Sequence, residues 1–169
     1  MRKRILIGMS FMIAVIVVLL IGHKIYTPLS KIEYEAMFSK IGEMNLLYGE
    51  DAVHLDPHGD IVEYYVYKAI NCEMDSDFPS NIQVWDRQLI NKECLVMRWS
   101  QISKDTLHVL NLWECGEQSF RNIKYKEDFS LALADTNNYF SLIQFDELRH
   151  YLFVFDPCNE CLYYYRVCL

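Results

Sequence analysis

Tyr151-Leu-Phe-Val-Phe-Asp156, then Pro157-Cys-Asn-Glu160, then Cys161-Leu-Tyr-Tyr-Tyr-Arg-Val167 is the stretch that decides the fold. Two runs dense in aromatic and β-branched side chains flank four residues with turn chemistry. That pattern predicts a β-hairpin. Centred on its turn, the hairpin pairs residues whose numbers sum to 317, so Val154 faces Tyr163, Phe153 faces Tyr164 and Leu152 faces Tyr165. Successive strand residues point to opposite faces, so this hairpin is apolar or aromatic on both. Burial of both faces inside a domain is preferred over an open binding surface.

Working outward, Leu131–Ala134 and Tyr139–Phe145 read as strands around the turn Asp135-Thr136-Asn137-Asn138. Asp146–His150 reads as a single helical turn. Cys94–Ile102 and Leu107–Cys115 make another hairpin, turning at Ser103-Lys104-Asp105-Thr106, and Phe120–Tyr125 adds a strand. Ile82–Leu89 is a weaker strand, and Asp75–Ser80, which contains Pro79, is a loop. Val53–Asp56 and Asp60–Ala69 form a first hairpin around Pro57-His58-Gly59, which suits a three-residue loop.

Ahead of the strands, Pro28 can open a helix and Ser30-x-x-Glu33 matches a capping box. Tyr34, Met37, Phe38, Ile41, Met44 and Tyr48 recur at helical spacing. They predict an amphipathic helix from Pro28 to Tyr48, stopped at Gly49. One helix followed by hairpins in chain order gives an α+β class, mainly β, with an antiparallel β meander.

The N-terminus sets the location. Ile5–Gly22 carries no charge, and Ser10 is its only polar side chain. Its 18 residues are enough to cross a bilayer core as a transmembrane helix. The run is longer than a signal-peptide core and leaves through Gly22-His23-Lys24 with no small-residue cleavage site. It predicts a retained signal-anchor. Arg2, Lys3 and Arg4 precede the run, which keeps residues 1–4 as a basic cytoplasmic tip. Residues 23–27 form a short hinge, and 28–169 form one exported domain. The site expected for it is the periplasmic side of a bacterial inner membrane. The absence of any N-x-[ST] sequon agrees with that compartment.

The chain of 169 residues carries 16 basic and 23 acidic side chains, a formal charge of −7. Setting aside Arg2, Lys3 and Arg4 leaves 13 basic against 23 acidic outside the membrane, a net −10. Such a surface argues against nucleic acid and fits a basic protein partner.

Six cysteines in an exported domain predict disulfides. In the hairpin centred on Lys104-Asp105, facing numbers sum to 209 and Cys94 falls opposite Cys115. That is a non-hydrogen-bonded position, where Cα atoms lie about 4.5 Å apart, within disulfide reach. Cys158 and Cys161 span a turn whose ends lie within about 7 Å. Cys161 and Cys168, seven residues apart on one strand, are separated by roughly 23 Å. Cys72 and Cys168 then remain for each other by elimination.

Chemistry has two further candidates. His54, Asp56, His58 and Asp60 supply imidazoles and carboxylates, the residue types of a hydrolytic site. Turn formation by Pro57-His58-Gly59 accounts for the same residues. Cys158-x-x-Cys161 has the spacing of a thiol–disulfide centre, which requires a helix N-terminus in a βαβ setting. No nucleophile elbow, zincin motif, phosphate loop or EF-hand loop is present. No cofactor is expected. In layout alone, the chain resembles small signal-anchored bacterial envelope proteins, including immunity proteins that protect a cell against toxins acting in its envelope. The resemblance implies no site. The expected function is a tethered, non-enzymatic domain that binds, neutralises or scaffolds another envelope protein.

Overall fold

The computed structural model describes residues 29–53, 61–103 and 124–168. The described residues are mainly β with two helices. In chain order they form α1 (Lys31–Met37), β1 (Phe38–Lys40), β2 (Glu43–Val53), β3 (Ile61–Ile70), β4 (Glu73–Met74), β5 (Val84–Trp85), β6 (Gln88–Leu89) and β7 (Leu95–Gln101). Then come α2 (Lys126–Ala134), β8 (Tyr139–Gln144), β9 (Arg149–Asp156) and β10 (Cys161–Cys168). Among the described residues no helix is long and apolar enough to cross a membrane, and Ile5–Gly22 lies outside them.

Six strands form one antiparallel sheet in the order β2-β3-β10-β9-β8-β7. The β9–β10 hairpin has the expected register: Val154 opposite Tyr163, Phe153 opposite Tyr164, Leu152 opposite Tyr165. The order corrects the meander. β7 to β10 do follow one another across the sheet, but the first hairpin joins on the far side of β10 through β3. The last strand of the chain is therefore central. A strand apolar on both faces is satisfied only with neighbours on both edges and a layer over each face.

Each face has its own cover. On one, Tyr64, Leu152, Val154, Tyr163 and Tyr165 pack under α2, whose Phe129, Ala132 and Leu133 point inward. On the other, Tyr65, Tyr67, Phe153, Leu162 and Tyr164 pack under α1, β1 and the 75–90 segment, through Met37, Phe38, Phe78 and Trp85. Fully burying one such side chain contributes about 1.5–3 kcal/mol. The doubly covered reading of the last hairpin is thus correct.

Several local expectations change. Helix α1 starts at Lys31 rather than Pro28, with Ser30 as its N-cap and both halves of the expected capping box made between Ser30 and Glu33. It ends at Met37 rather than Tyr48, and the chain turns into β1 and the long edge strand β2. Met44, Leu46 and Tyr48 lie two apart as well as at helical spacing, and pairing with β3 decides for the strand. A bulge at Leu47 then sends Tyr48 to the α2 face while Met44 and Leu46 pack on the other. Gly49 fits under the Tyr65 ring, where a Cβ would lie 2.5 Å from ring atoms.

Leu131–Ala134 is the end of α2, not a strand. Phe129, Ala132 and Leu133 have helical spacing, and their burial on the sheet outweighs the short apolar run. Tyr125 opens α2, so the proposed Phe120–Tyr125 strand does not reach it, and residues 120–123 lie outside the described set. Asp146–His150 is no helical turn: the Asp146 carboxylate accepts from the backbone of Leu148 and Arg149, each at 2.9 Å, and closes a hairpin into β9. Ile82–Leu89 splits into β5 and β6 around Asp86-Arg87, both at positive φ.

That small hairpin is pinned to the sheet by charge. Arg166 of β10, nearly buried, pairs with Glu63 at 2.9 Å and Asp86 at 3.1 Å. The Tyr151 hydroxyl donates to Asp86 at 2.8 Å. The left-handed backbone at Asp86 is thereby held by contacts of its own side chain.

A second bulge, at Arg98-Trp99 opposite Ser141, has a matching role. The Trp99 indole donates to the Met37 carbonyl at 3.2 Å, and Arg98 pairs with Asp77 at 3.0 Å. Both tie the covering layer to β7, the last described strand on that side of the sheet.

Candidate functional site

Where α2, the Asp135–Asn138 turn and the β9–β10 turn converge, they leave a cleft of about 390 Å³. Asp128, Asp135 and Asp156 line it together with Tyr125, Cys161 and Tyr163. Among the described residues, no lysine or arginine belongs to the lining.

Each acidic group has its place for a local reason. Asp128 lies in the first turn of α2, where a carboxylate is favoured by the helix dipole. Asp135 caps the other end of α2 and accepts from the backbone and side chain of Asn137, both at 2.9 Å. Asp156 ends β9 and is 5% exposed. Its two oxygens accept from the Asn159 backbone at 2.9 Å and the Asn159 amide at 2.7 Å. An ionised carboxylate has roughly four acceptor positions, so Asp156 keeps capacity after building its turn. Asn138 locks the floor by donating to the Ala132 carbonyl at 3.0 Å.

Tyr163 stands behind these groups. Its ring packs on Phe129 at 5.3 Å, and the residue is 4% exposed. Its hydroxyl makes no hydrogen bond among the described residues. Burial, followed by the negative environment of Cys161, Asp128 and Asp156, holds the phenol protonated well above the usual tyrosine range. Lys68 and Lys124 are not among the lining residues. Lys68 is engaged by the Asn159 carbonyl at 2.8 Å and Glu160 at 3.6 Å, and Lys124 sits 5.0 Å over the Tyr125 ring.

The cysteines distribute over the two ends of the sheet. Cys72, Cys94, Cys158, Cys161 and Cys168 are unbridged in this structure. Cys168 pairs with Ile61 at one end of β3, whereas Cys72 follows Ile70 at the other. Nine strand steps separate those ends, about 30 Å, so the Cys72–Cys168 pairing does not fit the sheet. Cys161 and Cys168 occupy opposite ends of β10, as expected. Cys115 lies outside the described residues, and with it the Cys94–Cys115 pair and the Leu107–Cys115 strand. Strand β8 takes one edge of β7.

The redox reading loses its setting. Cys158 is exposed in the turn and Cys161 opens a strand, so the motif does not open a helix in a βαβ setting. Burial raises the Cys161 thiol, and that thiol donates to the Asn159 carbonyl at 3.3 Å. Reactive thiols need the opposite shift. His54, Asp56, His58 and Asp60 lie outside the described residues. Among the described ones, no group of three or more His, Cys, Asp or Glu side chains could hold a metal ion.

Sequence reasoning missed the cleft. The signal was Phe129-x-x-Ala132-Leu133, which identifies α2 and so places Asp128 and Asp135 along its flank. Nothing local to Asp156 or Tyr163 announced that they would meet α2. No family model, no curated protein and no solved structure matches this chain.

Proposed function

We propose that this chain is a single-pass protein of the bacterial inner membrane whose periplasmic domain, 28–169, binds a basic protein partner without catalysis, either to neutralise it or to hold it. Ile5–Gly22 is the tether, with the N-terminus in the cytoplasm. The carrying observation is the cleft: three aspartates face one concavity that is lined by no cation among the described residues. The net charge of −10 outside the membrane would draw a basic partner toward it. Because the sheet is covered on both faces, recognition falls to such surface features rather than to an open sheet face.

Affinity capture of the full chain from detergent-solubilised envelopes tests this. A stoichiometric partner should be recovered, its capture should weaken as salt rises, and Asp128→Lys with Asp135→Lys should abolish it. Failure to recover a stoichiometric partner, or capture indifferent to the charge reversal, overturns the reading.

A further inference from the structure

The cleft combines two independent features. Its wall carries free acceptor capacity at Asp128 and Asp156. Its back carries Tyr163, a residue 4% exposed that lines the cleft and whose hydroxyl has no hydrogen-bond partner among the described residues. A hydroxyl that opens on a cleft without a protein partner leaves its oxygen to accept from a ligand, and a hydrogen bond from a charged donor is stronger than one from a neutral donor. The required ligand is cationic, to match two carboxylates, and offers several N–H donors in different directions, to reach the phenol oxygen as well. A guanidinium meets both conditions, with five donors in a planar fork and weaker hydration than an ammonium. A lysine ammonium is a compact, strongly hydrated charge and gives up more on entering a half-buried site.

We infer that the cleft between α2 and the β9–β10 turn receives one arginine side chain of the partner protein, its guanidinium held by Asp128 and Asp156 and bonded to the Tyr163 hydroxyl. The inference rests on the partner-binding reading and specifies its anchor. Asp135, at the far end of α2, adds attraction at the rim. Asn159 is the positioning residue, because its backbone and amide orient the Asp156 carboxylate.

The test uses the full chain in detergent and capped peptides that differ at one residue: arginine, lysine or citrulline, with free arginine as a fourth probe. Titrations are followed through the side-chain amide resonances of Asn138 and Asn159. The arginine peptide should saturate these shifts, while lysine binds at least about tenfold more weakly and citrulline, which keeps the shape without the charge, does not bind. Asp128→Asn should lower arginine affinity at least about tenfold. Tyr163→Phe, which keeps the ring on Phe129, should lower it severalfold, with the amide spectrum otherwise unchanged. Equal binding of lysine and arginine peptides, or no effect of Tyr163→Phe, overturns the inference. Free arginine binding as tightly as the peptide also overturns it, in favour of a small-molecule site. If the peptides fail while envelope capture remains sensitive to charge reversal, the anchor is wrong and partner binding stands.

Discussion

Replacing Arg166 by methionine tests how the covering layer is held on the sheet. The guanidinium, nearly buried, joins β10 to Glu63 of β3 and to Asp86 of the β5–β6 hairpin. Methionine keeps the stem and removes the charge. Two acidic groups in a poorly hydrated place then lose their shared cation. Breaking a buried ion pair from one side costs about 3–5 kcal/mol, against a total stability of about 5–15 kcal/mol for a domain. The melting temperature should fall by about 10 °C or more. The triple variant Arg166→Met, Glu63→Gln, Asp86→Asn removes the charges together. It should recover most of the loss, since buried pairs contribute little net stability over neutral replacements. Asparagine also tolerates the left-handed backbone at position 86, where φ is 46°. Urea unfolding of the full chain reads the effect, and Trp85, buried and adjacent to Asp86, is a local fluorescent reporter. A single variant that costs less than about 1 kcal/mol, or a triple variant as unstable as the single one, refutes the reasoning.

Three further outcomes are expected. Arg87 is exposed with φ at 64°, so Arg87→Gly should stabilise the chain by about 1 kcal/mol in urea unfolding, by relieving a left-handed non-glycine residue. Burial holds His150 below its ordinary value of 6.5, so the unfolded chain binds its proton more readily. Stability from this source is complete above the unfolded value and is lost as pH falls through the folded one. Melting temperature should therefore drop between pH 7 and 5, and the drop should be smaller in His150→Gln; parallel profiles would count against it. Peptide mapping without reductant should find Cys168 joined to neither Cys72 nor Cys161, because the register holds each pair far apart.

Local chemistry made much of this legible before folding. The last hairpin and its register followed from turn residues and alternation, since strand pairing around a short turn leaves little freedom. The start of α1 followed from Ser30 and Glu33, whose bonds are made within four residues. Its end did not. Met44 and Tyr48 satisfy a helical and a strand period alike, and only β3 alongside them resolves the choice. Helix α2 was missed: Leu131–Ala134 reads as a short apolar strand, and the helical spacing of Phe129, Ala132 and Leu133 decides only once they are buried on the sheet.

The sequence by itself determined the mainly β class, the paired aromatic strands and the acidic balance. These depend on composition and on neighbours a few residues apart. Tertiary structure alone decided that the final strand is central, that Cys72 and Cys168 sit at opposite ends, and that Asp128, Asp156 and Tyr163 share one cleft. Those facts depend on β3 choosing β10 and on which sheet face α2 covers. Such choices follow from burying both faces of one strand at once, a condition that no single stretch of the chain expresses.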